Sequence, residues 1–351
     1  MRAFTCPTCD LLVLFENFEC VRCGSDLGFD PDSGEIIAGP FGTADSRRRC
    51  ANQTLAECNW VLAPADPHGL CLSCRLTSTR PDDADPEVHR QFLDTESAKR
   101  RLVFNLLEVG LPVIPKADDP DHGLAFDLLS SRHGPVTIGH DDGLISLDLE
   151  ESDDAHREQV RHQLHERYRT MLGHLRHEVG HYYWTVLVEG SDHLPGFREL
   201  FGDEQDDYQV AIDRHYAEGP PPDWPARFVS AYATMHPWED WAESFAHYLH
   251  IRATLQTAAA YHIVVLGPDT RARTPDPTLV SAPAREVDDR SFDAIVAQWL
   301  PLTYALNAIN RSMGDDDLYP FVLTPPVIAK IAFIHDLVAG RASPPTKETS
   351  R

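Results

Sequence analysis

No cysteine follows Cys74 in a chain that continues to residue 351. That long remainder must be held together by a buried apolar core, for which it is long enough. Long apolar runs are missing as well. No stretch approaches 18 consecutive apolar residues, which excludes a membrane-spanning helix. The N-terminal segment MRAFTCPTCDLL lacks the basic start and apolar run of a secretory signal, so the sequence points to a cytoplasmic protein. Basic charge is scarce: 31 Lys and Arg stand against 55 Asp and Glu, for a net charge of −24. Such an excess repels phosphate backbones and argues against nucleic acid as a partner. No prodomain is recognisable, and nothing repeats except the cysteine pattern.

The eight cysteines crowd the N-terminal end. Cys6 and Cys9 form one CxxC pair, and Cys20 and Cys23 form a second after a ten-residue gap. Two such knuckles can place four thiolates about 2.3 Å from one zinc ion. Gly24 follows the second knuckle, where a tight turn suits it. The other four are less regular: Cys50, Cys58, then the pair Cys71 and Cys74. They read as a second four-cysteine zinc site, with His68 as an alternative ligand. Disulfides are disfavoured in a reducing compartment. Pairs crossed between the two sets, and iron in place of zinc, stay open at this stage. Both sites would be closed and structural. The residues around them are too few for a large core and are expected to need the metals to fold. Arg47, Arg48 and Arg49 make a basic run, but the surrounding segment is acidic on balance. The ribbon is therefore assigned a protein-docking or substrate-guiding role.

The expected domains are a zinc ribbon over 1–78, a linker over 79–90, a catalytic domain over 91–340 and a disordered tail over 341–351. Apolar spacing predicts a helix over 88–109. A proline- and glycine-rich loop is expected at 110–123, and a strand at 144–149 after the turn His140-Asp141-Asp142-Gly143. Residues 155–188 read as one or two helices, and 217–227 break the chain. A helix is expected over 237–256, with Pro237 suited to its first turn. A long loop at 266–290 and helices at 291–312 and 325–339 complete the reading.

The chemistry concentrates at His177-Glu178-Val179-Gly180-His181. On a helix, positions i and i+4 share a face, so His177 and His181 can present two imidazoles to one zinc. Glu178 falls about 100° around the helix, where it can act as general base. Gly180 costs about 1 kcal/mol inside a helix, which implies close approach by another backbone. A hydrolytic zinc needs a third ligand. Positions 184 and 187 hold Trp184 and Leu187 rather than the Gly and His of metzincins, so the ligand must come from further along, as in gluzincins. Residues 230–250 supply Glu239 and Glu243, one turn apart, with His247 a turn beyond. Carboxylates on so apolar a helix are costly unless a metal or histidine pairs with them. Two other readings remain. Glu178 and His181 also satisfy the Glu-x-x-His pattern of di-iron bundles, although Glu243 and His247 are one residue too far apart to complete it. Alternatively, the chain is a non-catalytic adaptor or regulator that binds protein partners.

HEVGHYYW at 177–184, followed by HPWEDWAESFAHYLHI at 236–251 behind a double cysteine ribbon, resembles the zinc-ribbon, zinc-binding metallopeptidases of bacteria. The second segment is also similar to the metal-binding segments of the lethal-factor protease and the Mlc titration factor peptidases. In those proteins a Tyr precedes the ligand Glu by six intervening residues. The match falls on Tyr232 and Glu239, with Glu243 as a supporting carboxylate; Asp240 stands where an aromatic residue is usual. The resemblance implies an α+β protein: a zinc-ribbon module with two four-cysteine sites, and a mainly helical zincin-like domain with a small sheet. It further implies one catalytic and two structural zinc ions and a peptide or protein substrate. His177, His181 and Glu239 would bind zinc. Glu178 would be the base, Tyr232 an oxyanion donor or resting ligand, and Glu243 an orienting group or alternative ligand. His236 is a second oxyanion candidate, whereas His247 and His250 would lie farther out. By the same analogy, the strand at 144–149 would be an edge strand that pairs with extended substrate.

Overall fold

The computed structural model describes residues 2–43, 45–82, 84–153, 170–265 and 291–342. The expected loop at 266–290, the start of the helix expected from 155, and residues 343–351 of the expected tail lie outside the described residues. The fold is α+β, with short strands and long helices. No helix among the described residues is long and apolar enough to cross a membrane. The chain divides into two compact units, the first comprising residues 1–105 and 113–175 and the second 106–112 and 176–351.

In the first unit three short hairpins accompany the cysteines, which lie in the turns and loops between and beside the strands and at α1 (Leu72–Arg75). β1 (Phe4–Thr5) pairs with β2 (Leu12–Val13), β3 (Leu27–Asp30) with β4 (Glu35–Ala38), and β5 (Arg48–Arg49) with β6 (Val61–Leu62), all antiparallel. Their core is aromatic. Phe4, Phe15 and Phe29 pack with Phe104, and Trp60 packs on Phe15 and Phe29, with ring centres 4.9 to 6.3 Å apart. Phe104 belongs to α2 (Pro86–Glu108), which follows the one-turn α1 (Leu72–Arg75) and the strand β7 (Thr77–Thr79). Within α2, Glu96 and Lys99 form a fully buried ion pair at 2.6 Å that also engages Thr77 of β7.

β7 begins a four-stranded sheet ordered β7-β8-β10-β9, where β8 is Ala125–Leu129, β9 is Gly139–Asp141 and β10 is Leu144–Asp148. The strand expected at 144–149 is therefore present as β10, but it is not an edge. It pairs parallel with β8 and antiparallel with β9, so both of its backbone edges are used. The cause is the turn before it. Asp142 and Gly143 both adopt positive φ, of 46° and 77°, the pattern of a tight hairpin turn. That turn folds His140 back onto Ile145.

The second unit is helical. It contains most of α3 (Met171–Leu187), followed by α4 (Leu194–Phe201), α5 (Tyr208–Glu218), α6 (Pro237–Ala260), α7 (Phe292–Ser312) and α8 (Pro325–Ala342). The helices expected near 237, 291 and 325 are α6, α7 and α8. α4 and α5 were not anticipated from the sequence. α6 starts where the sequence dictates. The His236 ring accepts from the Trp238 N–H, Pro237 occupies the first turn, and Glu239 and Asp240 place negative charge at the positive end of the helix. Trp241, Phe245 and Leu249 are buried along one stripe of α6.

Gly180 sets the spacing of α3 and α6. A β-carbon there would lie 2.9 Å from the Ala242 Cα and 3.1 Å from its carbonyl oxygen, closer than packing allows. Trp241 Nε1 donates to the Gly180 carbonyl at 2.8 Å, and Tyr183 stacks on Phe245 with ring centres 5.3 Å apart. The close approach expected from the sequence is thus present. A second buried contact ties α6 to α8: Lys330 Nζ donates to Asp240 Oδ2 at 2.5 Å and to the Arg227 carbonyl at 3.1 Å. The pair is 7 % and 1 % exposed. Burial pushes the Asp240 carboxyl up to about 7, against the pull of Lys330.

Two outcomes are expected in thermal and chemical unfolding. Gly180→Ala gains up to about 1 kcal/mol of helix propensity but overpacks the interface at a cost of about 1–3 kcal/mol. Its melting temperature should fall; a rise would disprove the backbone constraint. Asp240→Asn strands a buried ammonium and should destabilise by about 3–5 kcal/mol. Adding Lys330→Met should recover most of that loss.

Candidate metal centre

Three side chains converge inside the second unit. His177 Nε2 lies 3.0 Å from Glu239 Oε2 and 3.2 Å from His181 Nε2, and His181 Nε2 lies 3.5 Å from the same carboxylate oxygen. Tetrahedral zinc with bonds of 2.0–2.1 Å holds its nitrogen and oxygen ligands about 3.3 Å apart. The triangle therefore has the size and the donor set that zinc takes. Three residues from two helices form it. His177 and His181 lie one turn apart on α3, and Glu239 faces them from the first turn of α6.

The neighbours fix the imidazole orientation. His177 Nδ1 meets Glu243 Oε1 at 2.8 Å. A carboxylate there requires an N–H at Nδ1, so Nε2 is the nitrogen that would serve a metal in the triangle, once relieved of its own proton. Glu239 and Glu243 thus bracket one ring, one carboxylate at each nitrogen. His181 is held differently: its ring centre lies 4.1 Å from that of Trp238, and its buried Nδ1 has no partner among the described residues. Burial opposes ionisation of Glu239, yet the imidazoles of His181 and His177 hold its carboxyl well below the usual range. Burial likewise opposes charge on His177, yet Glu239 and Glu243 raise its pKa well above the ordinary value. Such a pocket stabilises positive charge, which is what a divalent cation brings.

The remaining candidates fall around this triangle. Glu178 is buried beside His177 in the chain. Tyr232, on a single helical turn (Tyr232–Thr234), has its ring centre 6.0 Å from that of His177. Burial, and then the Glu239 charge, push its pKa up, so it stays a neutral hydroxyl donor. His236 does not serve as an oxyanion donor. Its Nδ1 accepts from the Trp238 N–H at 3.1 Å, and its Nε2 donates to the Asp206 carbonyl at 3.0 Å. His247 bonds the Tyr319 hydroxyl at 2.7 Å, and His250 accepts from Arg176 at 2.6 Å. Neither reaches the triangle. Asp240 is turned to Lys330, so the departure from the usual aromatic residue is answered by a lysine on another helix. Sequence reasoning missed Tyr208, whose hydroxyl donates to Glu239 Oε1 at 2.9 Å. Its only sequence signal is the Asp206-Asp207 helix start before it.

The cysteines gather in two uncrossed sets: Cys6, Cys9, Cys20 and Cys23, and Cys50, Cys58, Cys71 and Cys74. Sulfur atoms approach to 3.6 Å for Cys6 and Cys23, and to 3.5 Å for Cys9 and Cys20 and for Cys58 and Cys71. Tetrahedral zinc thiolate sites place sulfurs about 3.8 Å apart. No disulfide joins any of the eight. His68 is exposed and belongs to neither set. The second set is wholly buried, whereas Cys23 of the first is exposed. The Ser25 hydroxyl and backbone lower the Cys23 thiol to about 6.

Residues 3–85 match a zinc-ribbon domain, and residues 88–337 match the family described as "Putative zinc-binding metallo-peptidase". Proteins of Mycobacterium bovis and of two Mycobacterium tuberculosis strains, each described as uncharacterized, are 49 % identical over 345 residues. The match covers 96 % of this chain and 95 % of each relative. No solved structure matches the chain. With a ribbon at one end and two histidines and a glutamate converging in the span that the larger family model covers, the chain belongs to the family so described.

Proposed function

We propose that this protein hydrolyses peptide bonds in a peptide or protein substrate, using zinc held by His177, His181 and Glu239. The observation that carries this reading is the triangle of Nε2, Nε2 and Oε2 atoms with Glu178 next to it in the chain. Three protein ligands leave one position open, the mark of a catalytic rather than a structural zinc. Zinc bound there supplies a Lewis acid that acidifies water and polarises a carbonyl.

The protein residues do the rest. Glu178 takes the proton from the attacking water on its carboxylate and passes it to the leaving amine nitrogen. Tyr232, kept protonated by burial and by Glu239, donates its hydroxyl to the oxyanion that develops at the scissile carbonyl. Glu243 holds the Nδ1 proton of His177 and so keeps that ring in the tautomer a ligand needs. The two cysteine sets hold structural zinc, and the ribbon offers a surface for a protein partner.

The direct test compares wild type with Glu178→Gln on a broad peptide library, with zinc content measured in both. Wild type should cleave and carry three zinc ions. Glu178→Gln should keep its zinc but lose about 10²- to 10⁴-fold in rate. Equal cleavage by the two proteins, or none by wild type, defeats the reading. Removing metal with a chelator such as 1,10-phenanthroline should abolish cleavage, and added zinc should restore it. His181→Ala should carry two zinc ions rather than three, with the ribbon pair retained.

A further inference from the structure

The two oxygens of Glu239 are treated differently. Oε2 faces His177 and His181, whereas Oε1 accepts the Tyr208 hydroxyl at 2.9 Å. Glu239 is nearly fully buried, so its second oxygen has no bulk water to turn to.

The structure around Tyr208 is built to deliver that hydroxyl. His236 caps α6 through Nδ1 and, through Nε2, holds the Asp206 carbonyl. The next residue, Asp207, caps α5 by accepting from the Val210 N–H at 3.0 Å. Tyr208 is the first residue of α5, and its ring lies edge-on to His236 with centres 5.3 Å apart. One histidine thus ties the start of α5 to the start of α6, and Glu239 lies three residues beyond it. Elsewhere α5 is loosely held, since Ala211 is its one buried residue. Tyr208 is 38 % exposed, so its hydroxyl stays on Glu239 because of this bracing and not because the ring is enclosed.

We propose that Tyr208 is a positioning residue for the metal centre: by occupying Glu239 Oε1 it makes Glu239 a one-oxygen ligand. This rests on reading the triangle as a zinc site. A carboxylate with both oxygens free can chelate through both and fill the position that water requires. A phenol donor on one oxygen opposes that, because two-oxygen binding would strip away a charge-assisted hydrogen bond. It also fixes the direction from which the other oxygen approaches, as partners of metal ligands commonly do.

The test uses full-length Tyr208→Phe, which removes the hydroxyl and keeps the ring. Zinc stays in the cysteine sets while cobalt replaces metal at the histidine site after mild chelation. Absence of thiolate-to-cobalt absorption in the near ultraviolet verifies the placement. Wild type should show the intense visible bands of four-coordinate cobalt. Tyr208→Phe should show the several-fold weaker bands of a five-coordinate ion, and zinc affinity reduced by about 10- to 100-fold. Tyr216→Phe, on the same helix and exposed, should match wild type. Unchanged spectra and affinity in Tyr208→Phe overturn the proposal alone and leave the zinc site standing. The same change in Tyr216→Phe overturns it too, because the effect would then belong to α5 as a whole. Failure of wild type to bind cobalt or zinc at the histidines overturns both the proposal and the zinc reading beneath it.

Discussion

The second unit depends on the contact of two backbones at Gly180. With no side chain between them, α3 and α6 approach until Gly180 meets Ala242. That spacing brings the His177 and His181 face of α3 within reach of Glu239. Across that interface Glu239 Oε2 lies 3.0 Å from His177 Nε2. Trp241 secures the approach by donating to the Gly180 carbonyl from the opposite helix. The cost of a glycine in a helix is thereby offset by the geometry it permits.

Electrostatics follow from that packing. Four charged or chargeable groups, His177, His181, Glu239 and Glu243, are crowded into one largely buried region. Burying carboxylates is unfavourable unless something positive answers them. Glu243 is answered by a ring proton, and Glu239 by two imidazoles and a tyrosine hydroxyl. Asp240, on the same helical turn, is answered separately by Lys330. Adjacent acids on α6 thus serve different ends because the helix turns them toward different neighbours.

Much of this was legible in the sequence because it is local. Cysteine spacing, a histidine pair at i and i+4, and a glutamate pair at i and i+4 are one-dimensional patterns with fixed three-dimensional meaning. Pro237 and the long apolar helices were readable for the same reason. The parts that escaped are relational. Tyr208 lies 31 positions before Glu239, on a helix of 11 residues with a single buried side chain, too short and polar to register by periodicity. α4 opens on Leu194-Pro195-Gly196, which reads as a turn. The strand β10 was found, but its place inside the sheet was not, because β9 is only three residues long and carries no alternation of its own. The pairing of Asp240 with Lys330 spans 90 positions and leaves no mark on either segment.

The two cysteine sets differ in enclosure: one thiol of the first is exposed, whereas all four of the second are buried. Ligand exchange at zinc proceeds by attack of an incoming donor, and a donor needs a path to the metal. The first set offers that path at Cys23, so a metal bound there would be open to competing thiols, chelators or oxidants. The four thiols of the second are enclosed, so a metal bound there would be reached only when the surrounding chain opens. With zinc in both sets, as proposed, the first would be the more readily exchanged and the second the more protected.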